Sequence, residues 1–223
     1  FKNDMERFKQ FLHNNALFLY PFIILWIIML CFALMHSKTE THYLLNTWHG
    51  SFGDVFFQYV TYLGSGLPTY IGIAVLLFSV RKGVFILSSQ LLSFLITHGI
   101  KEWLNIPRPS TLFNELGITL PQTVAGVDLH TWKSFPSGHT CAAFAFCFCV
   151  AVMIPKKYNY LKVLLLILGI SGAYSRIYLS QHFLEDTLAG SMIGVLSVIA
   201  LYFPIYKNKW GEYPLFRFKK QKK

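Results

Sequence analysis

His182 and Asp186 stand four residues apart, a spacing that puts two side chains on one face of a helix. A carboxylate so placed accepts the imidazole Nδ1–H, fixes the tautomer and leaves Nε2 free to attack an electrophile. Upstream, Pro136-Ser137-Gly138-His139 opens an apolar run. A helix N-terminus is expected there, with free N–H groups and the positive end of the dipole, a setting that binds phosphate. Gly138 lets the anion approach closely because it has no Cβ. Lys101 and Arg108-Pro109 follow the preceding apolar run, and Ser175-Arg176 ends the one before His182. Lys101, Arg108 and Arg176 would neutralise the charges of a phosphoryl group, the arginines by bidentate contacts. His139 comes from a different helix beside this cradle and suits a general acid that protonates the leaving oxygen.

These groups need elements to hold them, and the composition says which. The 223 residues are 54% hydrophobic, 17% aromatic and only 13% charged, against about 25% charged in a soluble domain. A helix crossing a bilayer needs about 20 mostly apolar residues. Runs at 17–35, 67–80, 83–100, 139–154, 158–175 and 187–206 fit, the fifth interrupted only by Lys162. Residues from 55 to the Gly64, Gly66 and Pro68 break read as a helix lying on the surface. Lipid-exposed backbone must bond internally, so the runs are expected to be helices, and their lack of alternation argues against a β-barrel. The expected fold is an all-α polytopic membrane protein with six transmembrane helices in a single domain, 1–223. The first apolar run is too long for a cleaved signal peptide and lacks a small-residue cleavage site.

Six spans put both termini on one face, and the basic residues indicate which. With cytoplasmic termini, that side receives 15 of the 20 Lys and Arg residues. The other side keeps Lys38, Lys101, Arg108, Lys133 and Arg176, with seven of the ten acidic residues. Three of these five cations belong to the polar motifs, and all three motifs fall on that outer, periplasmic or extracellular face. Each motif has a purely structural reading by itself: a helix pair, a snorkelling arginine, a capped turn. Those readings do not explain why the groups gather on the cation-poor face.

Other residues are expected to do less. His98 and Glu102 would support the site or the interface, and His36, His42, His49 and His130 are expected in exposed loops or at the interface. Cys31, Cys141, Cys147 and Cys149 read as small buried apolar residues. No cofactor and no metal is expected. Gly190 and Gly194 form a GxxxG stripe, expected to pack helices within the monomer. Trp48, Trp103, Trp132 and Trp210 fall near interfaces. The lysines of residues 219–223 are expected to meet anionic headgroups, so the net charge of +10 implies a membrane rather than nucleic acid. The long loop at 110–135, with Glu115, Asp128, His130 and Lys133, is expected to flank the site and help choose the headgroup.

The chain resembles the type 2 phosphatidic acid phosphatase superfamily, which includes the vanadium haloperoxidases. Its pattern is Lys, six residues, Arg-Pro; Pro-Ser-Gly-His; and Ser-Arg, five residues, His, three residues, Asp. Here these are Lys101 to Arg108-Pro109, Pro136 to His139, and Ser175-Arg176 to His182 and Asp186, so all eleven defined positions match in order. The resemblance implies a metal-independent phosphatase working through a phosphohistidine on His182. Asp186 would orient His182. His139 would serve as acid and then base, and Lys101, Arg108, Ser137, Gly138 and Arg176 would hold the phosphoryl oxygens. The expected substrates are membrane lipids: undecaprenyl diphosphate, phosphatidylglycerol phosphate or phosphatidic acid, with the phosphates of lipid A as the alternative. Vanadate-dependent halide oxidation, or lipid binding and transport without turnover, are the competing classes.

Overall fold

Twenty residues with no charge and Pro21 near the start make helix α2, Ala16–Met35, about 30 Å long and thus matched to a bilayer core. The computed structural model describes residues 2–207. Before α2 lies a helix that the apolar runs did not announce, α1, Lys2–Asn14. It docks by Phe11, 2% exposed, against Tyr202 and Phe203. Lys162 holds its C-terminal end: the Nζ donates to Asn14 O at 2.5 Å and to Asn15 Oδ1 at 3.0 Å. The interruption of the fifth apolar run is therefore a buried cation answering helix-terminal acceptors.

After α2, helix α3, Lys38–Leu45, starts in a capping box of Ser37 and Glu40, which satisfies two of the otherwise unpaired first donors. Helix α4 (Ser51–Val60) runs through a 3₁₀ turn, Thr61–Gly64, into α5 (Leu67–Phe78). The two segments are bent by 51° at the Gly64-Ser65-Gly66 break. A Cβ on Gly64 would stand 2.2 Å from His139 O, so the break brings this backbone directly against the next motif. Helix α6 spans Val80–Leu104 and ends on Asn105 in the left-handed region, φ 42°. Helix α7, Pro109–Glu115, opens the long loop.

Helices α8 (Gly138–Met153), α9 (Leu161–Tyr178) and α10 (Leu184–Leu201) complete the bundle, with a π turn at Tyr202–Tyr206. Helix α8 is the axis, packing against α6, α9 and α10. Phe144, Cys147, Phe148 and Cys149 of α8 join Phe18, Phe22 and Phe85 in one buried cluster. Gly190 and Gly194 permit the tightest approach, since a Cβ there would lie 2.4 Å from Ser137 O or 2.5 Å from Cys141 O. The small-residue stripe thus packs within the monomer, as its spacing implied.

Among the described residues all regular structure is helical. Four helices are long and apolar enough to cross a membrane, five with the α4–α5 pair taken as one. Helix α8 is apolar but has only 16 residues. The third run starts at Val80 rather than 83 and continues past Lys101 to Leu104, because a helix does not stop where charge begins. The fifth starts at Leu161 rather than 158, after a 3₁₀ turn at Lys156–Tyr158. Cys31 is exposed while the other three cysteines are buried, and all four are free. Trp210 and the lysines of residues 219–223 lie outside the described residues.

Candidate active site

The end of α6, the start of α8 and the turn between α9 and α10 meet at one place. The link after α6 is stitched to the strand of chain before α8: Arg108 N donates to Thr131 O at 2.8 Å and Ser134 N to Ile106 O at 2.9 Å. Lys101, one turn before the end of α6, turns its Nζ to Lys133 O and to Ser134 O, the latter at 3.3 Å. Arg108 donates from Nε to Trp132 O at 2.9 Å and from Nη1 to Gln181 O at 3.0 Å. Both cations are therefore anchored by carbonyls, which orient them without neutralising them.

Ser137 caps α8. Its Oγ accepts from Thr140 N at 3.3 Å and from Thr140 Oγ1 at 3.0 Å, and the residue is fully buried. The hydroxyl expected to touch phosphate thus faces its own helix. What remains for an anion is the backbone N–H groups that open α8 ahead of Thr140, those of Gly138 and His139, which have no partner within the helix. Gly138 keeps the approach open, for a Cβ there would meet only Lys101 Cε, at 3.9 Å.

His182 does not sit on the helix of Asp186. Helix α10 begins at Leu184, and His182 belongs to the turn before it. The pair meets because Asp186, in the first turn, reaches back past the helix start. Its Oδ2 accepts from Phe183 N at 2.8 Å and lies 3.5 Å from His182 Nδ1. Ser134 completes this arrangement: its Oγ donates to Asp186 Oδ2 at 2.6 Å and stands 3.5 Å from His182 Nδ1. Ser137 N donates to Asp186 O at 2.9 Å, so α8 and α10 are joined at the site itself.

His182 is 1% exposed. Burial, then Arg108, Arg176, Lys101 and His139 in turn, push its pKa well below the ordinary imidazole value. The cations and the second histidine of the motifs thus act together against protonation of its ring. Arg176 is 6% exposed; its Nη1 donates to Thr61 Oγ1 at 2.6 Å, while its Nε is buried without an acceptor. A phosphoryl oxygen is the kind of group that would satisfy it.

Two cavities adjoin the cradle. One of about 500 Å³ runs between α5, α6 and α8, with Leu87, Leu91, Phe94, Gly138 and His139 in its walls. The other, about 530 Å³, is an open bowl lined by Lys101, Arg108, His130, Thr131, Trp132 and Lys133. Among the described residues no group of three or more His, Cys, Asp or Glu side chains is placed to hold a metal ion.

The family model of the PAP2 superfamily matches residues 82–210, more than half of the chain. The chain belongs to the PAP2 superfamily. Its fold is similar to that of LpxE from Aquifex aeolicus, with a TM-score of 0.61 and 28% identity over 72% of this chain and 92% of that one. It is also similar to a transmembrane PAP2 type phosphatidylglycerolphosphate phosphatase from Bacillus subtilis, with a TM-score of 0.62 and 22% identity over 89% of this chain and 98% of that one. Comparison with curated protein sequences gives no match.

Several residues around the PAP2 motifs were not singled out in the sequence. Ser134 bonds the motif aspartate, and Gln181 carries Arg108 on its carbonyl and side chain, at 3.0 and 3.2 Å. Gln181 Nε2 also donates to Asp128 O at 2.9 Å, tying the long loop to the turn that carries His182. Lys133, in that loop, pairs with Glu102 at 2.6 Å, and His98 lies 3.9 Å from the same carboxylate. Of the four histidines expected at exposed positions, His130 is exposed and His36 half-buried. His42 is 1% exposed, and the His49 side chain is equally covered. Nothing in a polar segment such as 36–54 marks which of its histidines are enclosed; only the packing of this segment against the turn that carries His182 does so.

Proposed function

We propose that this protein is a metal-independent lipid phosphatase that hydrolyses a phosphomonoester or diphosphate of a membrane lipid through a phosphohistidine. The observation that carries this reading is the convergence of Lys101 and Arg108 on the buried turn where His182 meets Asp186, with His139 in the wall of the adjoining cavity between α5, α6 and α8. The cations and the first turn of α8 hold the phosphoryl oxygens. His182 Nε2 attacks phosphorus in line as the bond to the lipid oxygen breaks, and His139 gives that oxygen its proton. His139 then takes a proton from water, whose oxygen displaces Nε2 and releases phosphate. Asp186, braced by Ser134 and Phe183 N, keeps Nδ1 protonated throughout.

The reading takes α2, α5, α6, α8, α9 and α10 as six spans, with α4 lying on the surface and α8 being short because it is sheathed by the others. Both termini are cytoplasmic and the site opens on the opposite face. The basic-residue asymmetry of the sequence supports this orientation. The apolar walls supplied by Leu87, Leu91 and Phe94 give a hydrocarbon chain a place beside His139, and the lipids of this reading are undecaprenyl diphosphate, phosphatidylglycerol phosphate and phosphatidic acid. A sugar-headed substrate, the phosphates of lipid A, is the second reading, favoured by the open bowl with Trp132 and Lys133.

Phosphate release from these four lipids by purified protein, in detergent with excess chelator, tests the reading. Turnover of one class, abolished in His182→Ala, is expected. Equal release by the variant would remove His182 as the nucleophile, and dependence on added divalent metal would remove the metal-independent mechanism.

A further inference from the structure

The turn that carries His182 is gripped by side chains far from it in sequence. Ser180, two residues before His182, has φ 50°, in the left-handed region where a residue with a Cβ is seldom found. It is 1% exposed, as are His42 and Asn46. Asn46 Nδ2 donates to Ser180 Oγ at 2.7 Å, and His42 Nε2 lies 3.3 Å from the same oxygen. Asn46 is itself oriented, because its Oδ1 accepts from His49 Nε2 at 2.5 Å, which commits its amide nitrogen to Ser180. His49 in turn stacks on Tyr178, with ring centroids 4.1 Å apart, and its Nδ1 lies 3.3 Å from Asp54 Oδ1. Tyr178 donates to that carboxylate oxygen at 2.6 Å.

Burying polar groups costs free energy unless they bond to one another, and an apolar wall would have filled the same space. Here every member of the chain Asp54, His49, Asn46 leads to the one strained backbone position next to the nucleophile. Strain of this kind persists only where its surroundings over-determine it. On the opposite side the same turn is held by Arg108 and by Gln181 bonding Asp128 O.

We propose that Asn46, supported by His42 and His49, is a positioning residue: by bonding Ser180 Oγ it holds the 179–182 turn so that the His182 ring meets Asp186 and Ser134. The inference rests on His182 being the nucleophile of the preceding section. It predicts that the residue capping the end of α3, in contact with neither substrate nor His182, sets the rate of phosphoryl transfer while leaving lipid binding alone.

Two measurements separate the two ideas. In the first, the ¹⁵N resonances of the His182 imidazole are assigned by their loss in His182→Asn and compared between parent and Asn46→Ala. A shift in Asn46→Ala is expected even though Asn46 does not touch the ring. In the second, kcat and KM for the turned-over lipid are compared. Asn46→Ala should lose about 10- to 100-fold in kcat, the scale of a misplaced catalytic group, with KM close to that of the parent. Ser180→Ala removes the same bond from the other side, so it should reproduce the loss, and the double variant should lose no more than either. Should Asn46→Ala fail to fold, Ser180→Ala carries both measurements. Unmoved imidazole resonances, an unchanged kcat, losses that multiply in the double variant, or a loss confined to KM would each overturn the inference. A shifted resonance in a parent that turns over no lipid would sink the phosphatase reading and leave the positioning role standing.

Discussion

Replacing Gly190 with alanine should damage catalysis without touching any group that meets substrate. A Cβ at this position would stand 2.4 Å from Ser137 O and 3.3 Å from Cys141 N. Ordinary van der Waals contact begins at 3.4 Å, so α8 and α10 must separate by about 1 Å at their crossing. The obstacle is backbone, which cannot swing aside as a side chain would. One turn away, Ser137 N bonds Asp186 O at 2.9 Å, and a separation of that size takes this bond out of range. Asp186 and His182 then move with α10, while Gly138, His139 and the first turn of α8 stay behind. A misplacement of about 1 Å costs on the order of 100-fold in rate, and overpacking of this kind costs about 1–3 kcal/mol of stability. Initial rates of phosphate release, read beside the thermal unfolding midpoint in the same detergent, check both numbers. Gly99→Ala is the control: nothing lies within 4 Å of its Cβ, so kcat should hold and helix propensity should rise. If Gly190→Ala kept kcat within about 3-fold of the parent, the contact between α8 and α10 would not set the geometry of the site, and the argument from misplacement would fail.

Ser134→Ala removes the 2.6 Å donor to Asp186 Oδ2; hydrogen bonds to charged groups are worth about 1.5–3 kcal/mol, so kcat should fall about 10- to 100-fold with KM unchanged, as steady-state kinetics will read. Because burial and the cations press the His182 pKa down, the ring accepts a proton only well below pH 6.5. The acid limb of kcat/KM attributable to His182 should therefore lie below the ordinary imidazole value, and a limb centred on that value would contradict the electrostatics described. Stability should follow the same sign. His42 is lowered from 6.5 to about 4 by burial, against the opposing pull of Asp186, so below pH 6.5 the unfolded chain takes up the proton first. Up to about 3 kcal/mol is then lost between pH 6.5 and 4, and His42→Gln should flatten that part of the pH dependence of thermal unfolding.

The grouping of the motif residues was legible in the sequence because its charged members are incongruous: Arg108, Arg176 and Lys101 interrupt or follow apolar runs. The relation of His182 to Asp186 was only half legible. Four-residue spacing suggests neighbours on a helix, yet the same distance is reached by a turn that feeds the helix start. Sequence spacing does not distinguish the two. Helix ends were misjudged where charges such as Arg81 and Lys82 adjoin apolar runs, since composition marks where lipid contact ends and hydrogen bonding marks where the helix ends. Helix α1 is too short and polar to stand out among the apolar runs, although Met5, Phe8, Phe11 and Leu12 recur at helical spacing. The burial of His42 and His49 left no trace, because docking of a polar segment against a distant turn is decided by the partner. Ser134 was equally silent, one serine among several in a loop.

The joints of this site are largely main chain to main chain: Ser137 N to Asp186 O, Arg108 N to Thr131 O, Ser134 N to Ile106 O. Truncating the side chains of the residues that make them leaves such links intact. An alanine scan would therefore map the reagents of the reaction and pass over its scaffolding, reporting residues such as Ile106, Thr131 and Ser137 as more dispensable than they are. Grafting the motif side chains onto another helical bundle would meet the same limit from the other side. It would transfer the chemistry without the seams that hold three helix ends in register, and amide-to-ester replacement at Ser137 or Arg108 is the substitution that addresses those seams directly.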